Sequence, residues 1–192
     1  LLERAPVHAV EVYRELHAAL GVEFQAEPRL TLHNADVLTC RVRELIPKGP
    51  VVVVGNLPYG ITTDLVLWLL EQWRDVRRAV LLMQKEVAER LTAHPGDRKA
   101  GRMTLAVHYR MDVERILDVA PGSFRPIPKV TSSLVAFRPR AKTPVEPKDE
   151  ALFFRVIRAA YGERRKTLVN ALSTGLHLPR TLIEQAIGEA GL

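Results

Sequence analysis

The sequence predicts an α/β protein, with a mostly parallel sheet covered by helices on both faces and a small helical appendage. Three observations carry that expectation. Apolar β-branched runs alternate with helically spaced segments along most of the chain. Several of those runs lack polar alternation, as strands buried on both faces do. Composition then turns to proline and charge at "RAKTPVEPKDE" (140–150), and only helical spacing follows.

Taken in order, "VHAVEV" (7–12) is a short apolar run holding a carboxylate near its end, and "YRELHAAL" (13–20) has helical spacing through Leu16 and Leu20. "RLTLHNAD" (29–36) alternates as a strand and ends in Asp36. "VVVV" (51–54) predicts a fully buried strand, and "TTDLVLWLLEQW" (62–73) a helix opening at a threonine cap. "RRAVLLMQ" (77–84) predicts another buried strand, "KEVAERLTA" (85–93) a helix, and "HPGDRKAG" (94–101) a loop. "RMTLAVHYR" (102–110) and "VERILDVA" (113–120) predict two further strands; the proline-rich "PGSFRPIPKV" and a closing strand "SSLVAFRP" follow. "ALFFRVIRAAYGERRKTLVNALS" (151–173) and "LPRTLIEQAIGEAGL" (178–192) predict helices, with Phe153, Phe154, Ile157 and Ala160 on one stripe. The expected domains are therefore 1–140 and 141–192. Sheets of this class bind ligands beyond the carboxyl ends of their strands. Glu11, Asp36 and Asn56 mark three such ends.

Bulk properties narrow the function. The 192 residues carry 28 Lys and Arg against 22 Asp and Glu, a net charge of +6 that favours a polyanionic partner such as nucleic acid. No apolar run is long enough for a bilayer, and the first residues lack a signal-peptide layout. The single cysteine, Cys40, excludes an internal disulfide and points to the cytoplasm. None of the six histidines has a partner at metal-ligand spacing, so no metal is expected.

Chemistry concentrates at "VVVVGNLPYG" (51–60). Asn56-Leu57-Pro58-Tyr59 after a strand matches the [DNS]-[PIL]-P-[YF] element of methyltransferases that act on an exocyclic amine. The N6 amine of adenine is a poor nucleophile because its lone pair is delocalised into the ring. Acceptors aimed at its hydrogens favour the rehybridised nitrogen that attacks a methyl sulfonium. The Asn56 side-chain oxygen and the Leu57 carbonyl suit that role, Pro58 fixes the backbone, and Tyr59 can stack on the base. Read alone, the four residues fit a strand-terminating turn equally well.

The surrounding blocks separate those readings. "LLERAPVHAVEVYREL", "NADVL", "VVGNLPYGITTDL", "MQKEVAERLTAHPGDRKAGRMTL", "PGSFRPIPKVTSSLVAF" and "AYGERRKTLVNAL" occur in one order, and through them the chain closely resembles the KsgA-type ribosomal RNA small-subunit adenine dimethyltransferases. The resemblance implies a class I, Rossmann-like methyltransferase sheet and a small helical RNA-binding domain. It also implies S-adenosyl-L-methionine as methyl donor, without metal. The ribose-binding carboxylate falls on Glu11, with Val12 packing on the cofactor's adenine. The contact to that adenine's amine falls on Asp36, next to Ala35. Asn56 lies between cofactor and target base, and Phe124 is expected on the base face opposite Tyr59. Lys85, Arg90, Lys129, Arg164, Arg165 and Lys166 are the expected RNA contacts. Bland alternatives stand beside these: Glu11 and Asp36 as surface carboxylates, Phe124 as core, "QKEVAER" as an amphipathic helix paired Glu86 to Arg90, and "RRK" as a solvated run.

The implied function is N6-dimethylation of adjacent adenosines in a hairpin loop of small-subunit (16S) rRNA, by a monomer acting on the pre-30S particle. The alternatives are an erythromycin-resistance-type 23S rRNA enzyme and a non-catalytic RNA-binding assembly module. Departures are present. Tyr13 stands where aspartate is common, Gly60 follows the motif where Asn or Tyr is frequent, Ala100 replaces an aromatic, and Thr131 an acidic residue. Family members also open with a strand and a glycine-rich turn that cradles the cofactor's methionine part. This chain opens at "LLERAP", which resembles the following helix, so both domains are expected to be incomplete and cofactor binding weak.

Overall fold

The computed structural model describes residues 1–56, 58–94, 96–162 and 166–191. Two sheets form. In the first, β1 (Val7–Glu11) and β2 (Leu30–Asn34) run parallel in a register from Val7 opposite Leu30 to Glu11 opposite Asn34. They are linked by α1 (Arg14–Glu23). The second sheet holds β3 (Val51–Asn56), β4 (Val76–Gln84), β5 (Met111–Val119) and β6 (Ser132–Pro139) in the order β3-β4-β6-β5. Its helices are α3 (Thr62–Glu71), α4 (Lys85–Leu91) and α5 (Arg102–Arg110); a short α2 (Val42–Leu45) precedes it.

The second sheet is parallel apart from one reversed strand, β6, in keeping with the mostly parallel expectation. β3 and β4 are parallel, whereas β6 runs antiparallel to both β4 and β5. The reason lies in the connections. The β3–β4 link carries α3 and the β4–β5 link carries α4 and α5, as connections between like-directed strands do, while β5 and β6 are joined by the loop 120–131 without a crossover helix, which suits an antiparallel pair.

"VVVV" is not buried on both faces. Val52 is 48% and Val54 54% exposed, while Val51 and Val53 are half-buried. Among the described residues β3 pairs only with β4, which leaves one edge open, and its alternating exposure shows one face uncovered. β-Branched residues serve an edge strand as well as an inner one, so composition alone could not decide.

Residues 102–110 form a helix where a strand was expected. Met103, Leu105, Val107 and Tyr109 alternate in sequence, but burial follows Thr104, Val107 and Met111 at helical spacing. The Thr104 hydroxyl accepts from the Gly101 N–H at 3.0 Å and donates to the Arg90 carbonyl at 2.7 Å. That back-bond satisfies an orphan donor at the helix start and ties α5 to the end of α4. The expected threonine cap of α3 is also shifted. Ile61 occupies the cap position without a side-chain bond, and Thr62 is buried as the first helical residue.

The main core is made by Leu65, Val66 and Leu69 of α3, Ala79, Leu81 and Met83 of β4, Leu91, Val107, and Val135 and Phe137 of β6. Each fully buried Leu or Phe contributes ~1.5–3 kcal/mol.

The continuous helix expected over 151–173 is two helices, α6 (Glu150–Ala160) and α7 (Leu168–Leu176), with α8 (Arg180–Glu189) after them. The Asp149 carboxylate caps α6 and the Thr167 hydroxyl caps α7. A separate small core of Ala159, Leu172, Leu176 and Ile183 holds the three together. α6 meets the main body through Tyr109, whose ring lies 4.9 Å from Phe153 and 5.4 Å from Phe154. Arg110 adds a 3.2 Å ion pair to Glu150 and lies over the Phe154 ring.

Candidate active site

The topology decides which loops meet. β3 and β4 are parallel, so Asn56 and Gln84 end at the same edge of the sheet. β6 is antiparallel and therefore begins there, with Ser132 opposite Gln84. β5 ends there too, with Val119 opposite Ser132. The loop 120–131 therefore leaves and re-enters at the edge where the Asn56 motif stands.

Asn56 is the exposed last residue of β3, and Pro58 is exposed after it. Leu57 lies outside the described residues. Tyr59 opens a short 3-10 turn (Tyr59–Ile61) and is half-buried, its phenol 2.8 Å from the Ser132 hydroxyl. Phe124 is half-buried directly after a second such turn, Pro121–Ser123, with its N–H donating to the Pro121 carbonyl. Its Pro-rich setting is the loop that the sequence predicted.

A charged network borders this edge. The Lys85 backbone N–H donates to Thr131 at 3.0 Å, and its ammonium donates to Asp118 at 2.7 Å. Ser133 donates to the other Asp118 oxygen at 2.7 Å. These two hydrogen bonds, Lys85 first, hold the Asp118 carboxyl below the usual aspartate range. The hydrogen bond from Lys99 likewise lowers Glu89, with the nearby Lys85 and Arg115 charges adding to it. Arg115 lies 3.8 Å from Glu89 and 3.7 Å from Asp118. Of the expected RNA contacts, Lys85 is thus held by Asp118 and Arg90 by Glu86 along α4, while Lys129 is exposed. Lys166 is exposed just before α7; Arg164 and Arg165 lie outside the described residues.

The first sheet carries a second group. Glu11 ends β1, and one of its carboxylate oxygens accepts from the Tyr13 N–H at 2.8 Å. Val12 is 55% exposed beside it. The Asn34 amide donates to the Glu11 carbonyl at 2.8 Å, and the Ala35 N–H donates to the same carbonyl at 3.2 Å, locking the two strand ends together. Asp36 does not end β2. It caps the 3-10 turn Val37–Thr39 by accepting from the Leu38 N–H at 2.9 Å. The segment after it is pinned to α3, where Trp68 donates to the Cys40 carbonyl at 2.8 Å. The structure therefore brings Asn56, Tyr59, Lys85 and the Phe124 loop to one edge, and gathers Glu11, Val12, Ala35 and Asp36 at the end of β1 and β2.

Sequence reasoning missed Ser132, Ser133 and Asp118. Their partners are remote in sequence, and the only local signal was a pair of hydroxyls opening a strand after a proline-rich loop. Among the described residues no group of three or more His, Cys, Asp or Glu is placed to hold a metal ion, and no helix is long and apolar enough to cross a membrane.

The profile of the family described as "Ribosomal RNA adenine dimethylase" matches residues 2–188. The ribosomal RNA small subunit methyltransferase A of Aromatoleum aromaticum is 45% identical over 173 residues, covering 90% of this chain and 64% of the relative. The proteins of the same name from Pseudomonas aeruginosa and Thiobacillus denitrificans are 40% and 44% identical, with 63% and 67% of their lengths covered. The chain thus spans a little under two thirds of the length of the first two of these relatives. A dimethyladenosine transferase from Plasmodium falciparum superposes with a TM-score of 0.73 at 25% identity, covering 90% of this chain and 62% of that one. The 23S rRNA methyltransferase ErmE gives 0.71 at 27% identity, covering 98% of this chain and 73% of that one. These neighbours fit the Rossmann-like α/β fold expected from the sequence.

Proposed function

Since the chain belongs to the ribosomal RNA adenine dimethylase family, we propose that it dimethylates N6 of adjacent adenosines in a small-subunit rRNA hairpin loop, by direct methyl transfer to the amine of a splayed-out base. The observation that carries this reading is the edge of the second sheet, where the exposed Asn56 ends β3 and Tyr59 opens the turn that follows. The identities of 40–45% to small subunit methyltransferases favour that target over the large-subunit one.

The Asn56 side-chain oxygen and the Leu57 carbonyl accept hydrogen bonds from the amine and draw it toward a tetrahedral nitrogen. Acceptors held in place before the base arrives would leave little reorganisation for the chemical step. Tyr59 and Phe124 stack on the two faces of the base. Stacking contributes ~1–3 kcal/mol per base and offsets part of the unstacking cost. Asn56 acts as an acceptor and withdraws no proton, so the product ammonium loses its proton to water.

The donor set at the end of β1 fits S-adenosyl-L-methionine. One Glu11 oxygen is held by the Tyr13 N–H, the carboxylate would accept from ribose hydroxyls, and the exposed Val12 would offer an apolar face to an adenine. Asp36 and Ala35 border the same end. When bound, that cofactor supplies an electrophilic methyl on a sulfonium. We assign residues 1–140 to the catalytic domain and 141–192 to an RNA-binding domain, supported by the separate core of α6–α8. For the chain as a whole, Lys85, Arg90 and Lys129 of the first domain and Arg164, Arg165 and Lys166 of the second are the proposed phosphate contacts, the pre-30S particle the proposed partner, and a monomer in the cytoplasm the proposed state.

Methylation of under-methylated small-subunit particles tests the reading. Asn56→Ala should lower methyl transfer by ~100-fold or more while RNA affinity holds. Equal methylation by that variant would remove Asn56 from the mechanism. Titration of the chain with S-adenosyl-L-methionine tests the Glu11 site separately, because Glu11→Ala should weaken whatever affinity is found.

A further inference from the structure

The phenol of Tyr59 and the hydroxyl of Ser132 lie 2.8 Å apart although 73 residues separate them. Ser132 is wholly buried. It opens β6, paired with Gln84 of β4 on one side and Val119 of β5 on the other. Tyr59 enters from β3, on the far side of β4. The ring therefore lies across the carboxyl end of β4, tethered at its backbone to one neighbouring strand and at its hydroxyl to the other. The next residue, Ser133, points to the opposite face of β6, where its hydroxyl donates to Asp118.

A half-buried aromatic ring held only at its Cα samples rotamers about two side-chain dihedrals. A second attachment at the phenol tip fixes the direction of the ring axis, and the preference of a phenolic O–H for the ring plane links that plane to the bond. Stacking on a splayed base requires a plane that is set beforehand, because freedom lost on binding is subtracted from affinity. We propose that Ser132 is a positioning residue for base recognition, its hydroxyl anchoring the Tyr59 ring in the place where it receives the target adenine. The inference rests on the assignment of Tyr59 as a stacking platform made above.

The test compares Tyr59→Phe, Ser132→Ala, their double variant and Tyr59→Ala. The readouts are methylation kinetics on small-subunit particles, fluorescence of 2-aminopurine at the target adenosine in RNA, and thermal midpoints. Each single change at the bond should lower kcat/KM for RNA ~3- to 10-fold, the range expected for one hydrogen bond. Each should also reduce the 2-aminopurine stacking signal with little change in midpoint. The double variant should match the singles, because both remove the same bond. Three results overturn the inference. If Tyr59→Ala impairs stacking while Tyr59→Phe and Ser132→Ala leave it intact, the ring works without its tether and the platform assignment stands. If the double variant shows the product of the single losses, the two hydroxyls act independently. If Tyr59→Ala itself changes neither kinetics nor fluorescence, the platform assignment falls along with the inference.

Discussion

Replacing Gly175 with alanine probes the packing on which the C-terminal helices depend. A Cβ at this position of α7 would stand 2.5 Å from the Ala159 Cβ and 2.9 Å from its Cα on α6. Non-bonded carbons settle at about 3.5–4.0 Å, so the two helices must separate by roughly 1 Å or more. Neither opposing atom can rotate away, because one is backbone and the other a methyl fixed to it. Overpacking of this kind costs about 1–3 kcal/mol. Alanine in place of a helical glycine returns about 1 kcal/mol of intrinsic propensity. With backbone on the receiving side we expect the upper part of the packing range, for a net loss of about 1–2 kcal/mol. The loss should be confined to the small core of Ala159, Leu172, Leu176 and Ile183. Hydrogen exchange reads it locally: amides of α7 and α8 should exchange about 5- to 30-fold faster, while those of β4 and β6 should hold. Combining Gly175→Ala with Ala159→Gly frees the space again, and protection should recover beyond the sum of the single effects. Unchanged or slower exchange in Gly175→Ala would refute the close packing of α6 on α7.

Further expectations follow from the proposed site. Phe124→Ala should raise KM for RNA and weaken 2-aminopurine stacking; identical kinetics would return Phe124 to a packing role. Replacing Arg164, Arg165 and Lys166 with glutamine should weaken RNA binding and flatten its salt dependence by about 0.7–0.9 for each phosphate no longer neutralised, and an unaltered slope would leave the run as a solvated face. Asp118 is an acid whose folded value is lowered, mainly by Lys85 and Ser133. Its contribution is therefore whole above the ordinary aspartate value of 3.8 and is lost as pH falls below that through the depressed value. Asp118→Asn should remove that part of the acid dependence of urea midpoints; the same acid limb in both proteins would show that the network adds nothing to stability.

The sequence by itself determined most of what is local. Strand runs at 7–11, 30–34, 51–56, 76–84, 111–119 and 132–139 were all legible, because β-branched residues and the polar groups that end strands are read within a few positions. The Asn56 to Tyr59 motif was legible for the same reason, since its chemistry demands those residue types side by side. Glu11 and Val12 could be placed at a strand end by counting along "VHAVEV".

Tertiary structure decided what depends on distant partners. Residues 102–110 satisfy both periods, and the Thr104 bond to the Arg90 carbonyl, with Val107 buried against the core, selects the helix. Val52 and Val54 look like core in sequence and are exposed, because burial depends on what packs on their face of the sheet, and among the described residues little covers that face. The insertion of β6 between β4 and β5 brings Ser132 beneath Tyr59 and Ser133 beside Asp118. No local propensity encodes that insertion: a strand's neighbours are chosen by the free energy of the assembled core, and hydrogen bonds across 73 residues appear only after that choice is made.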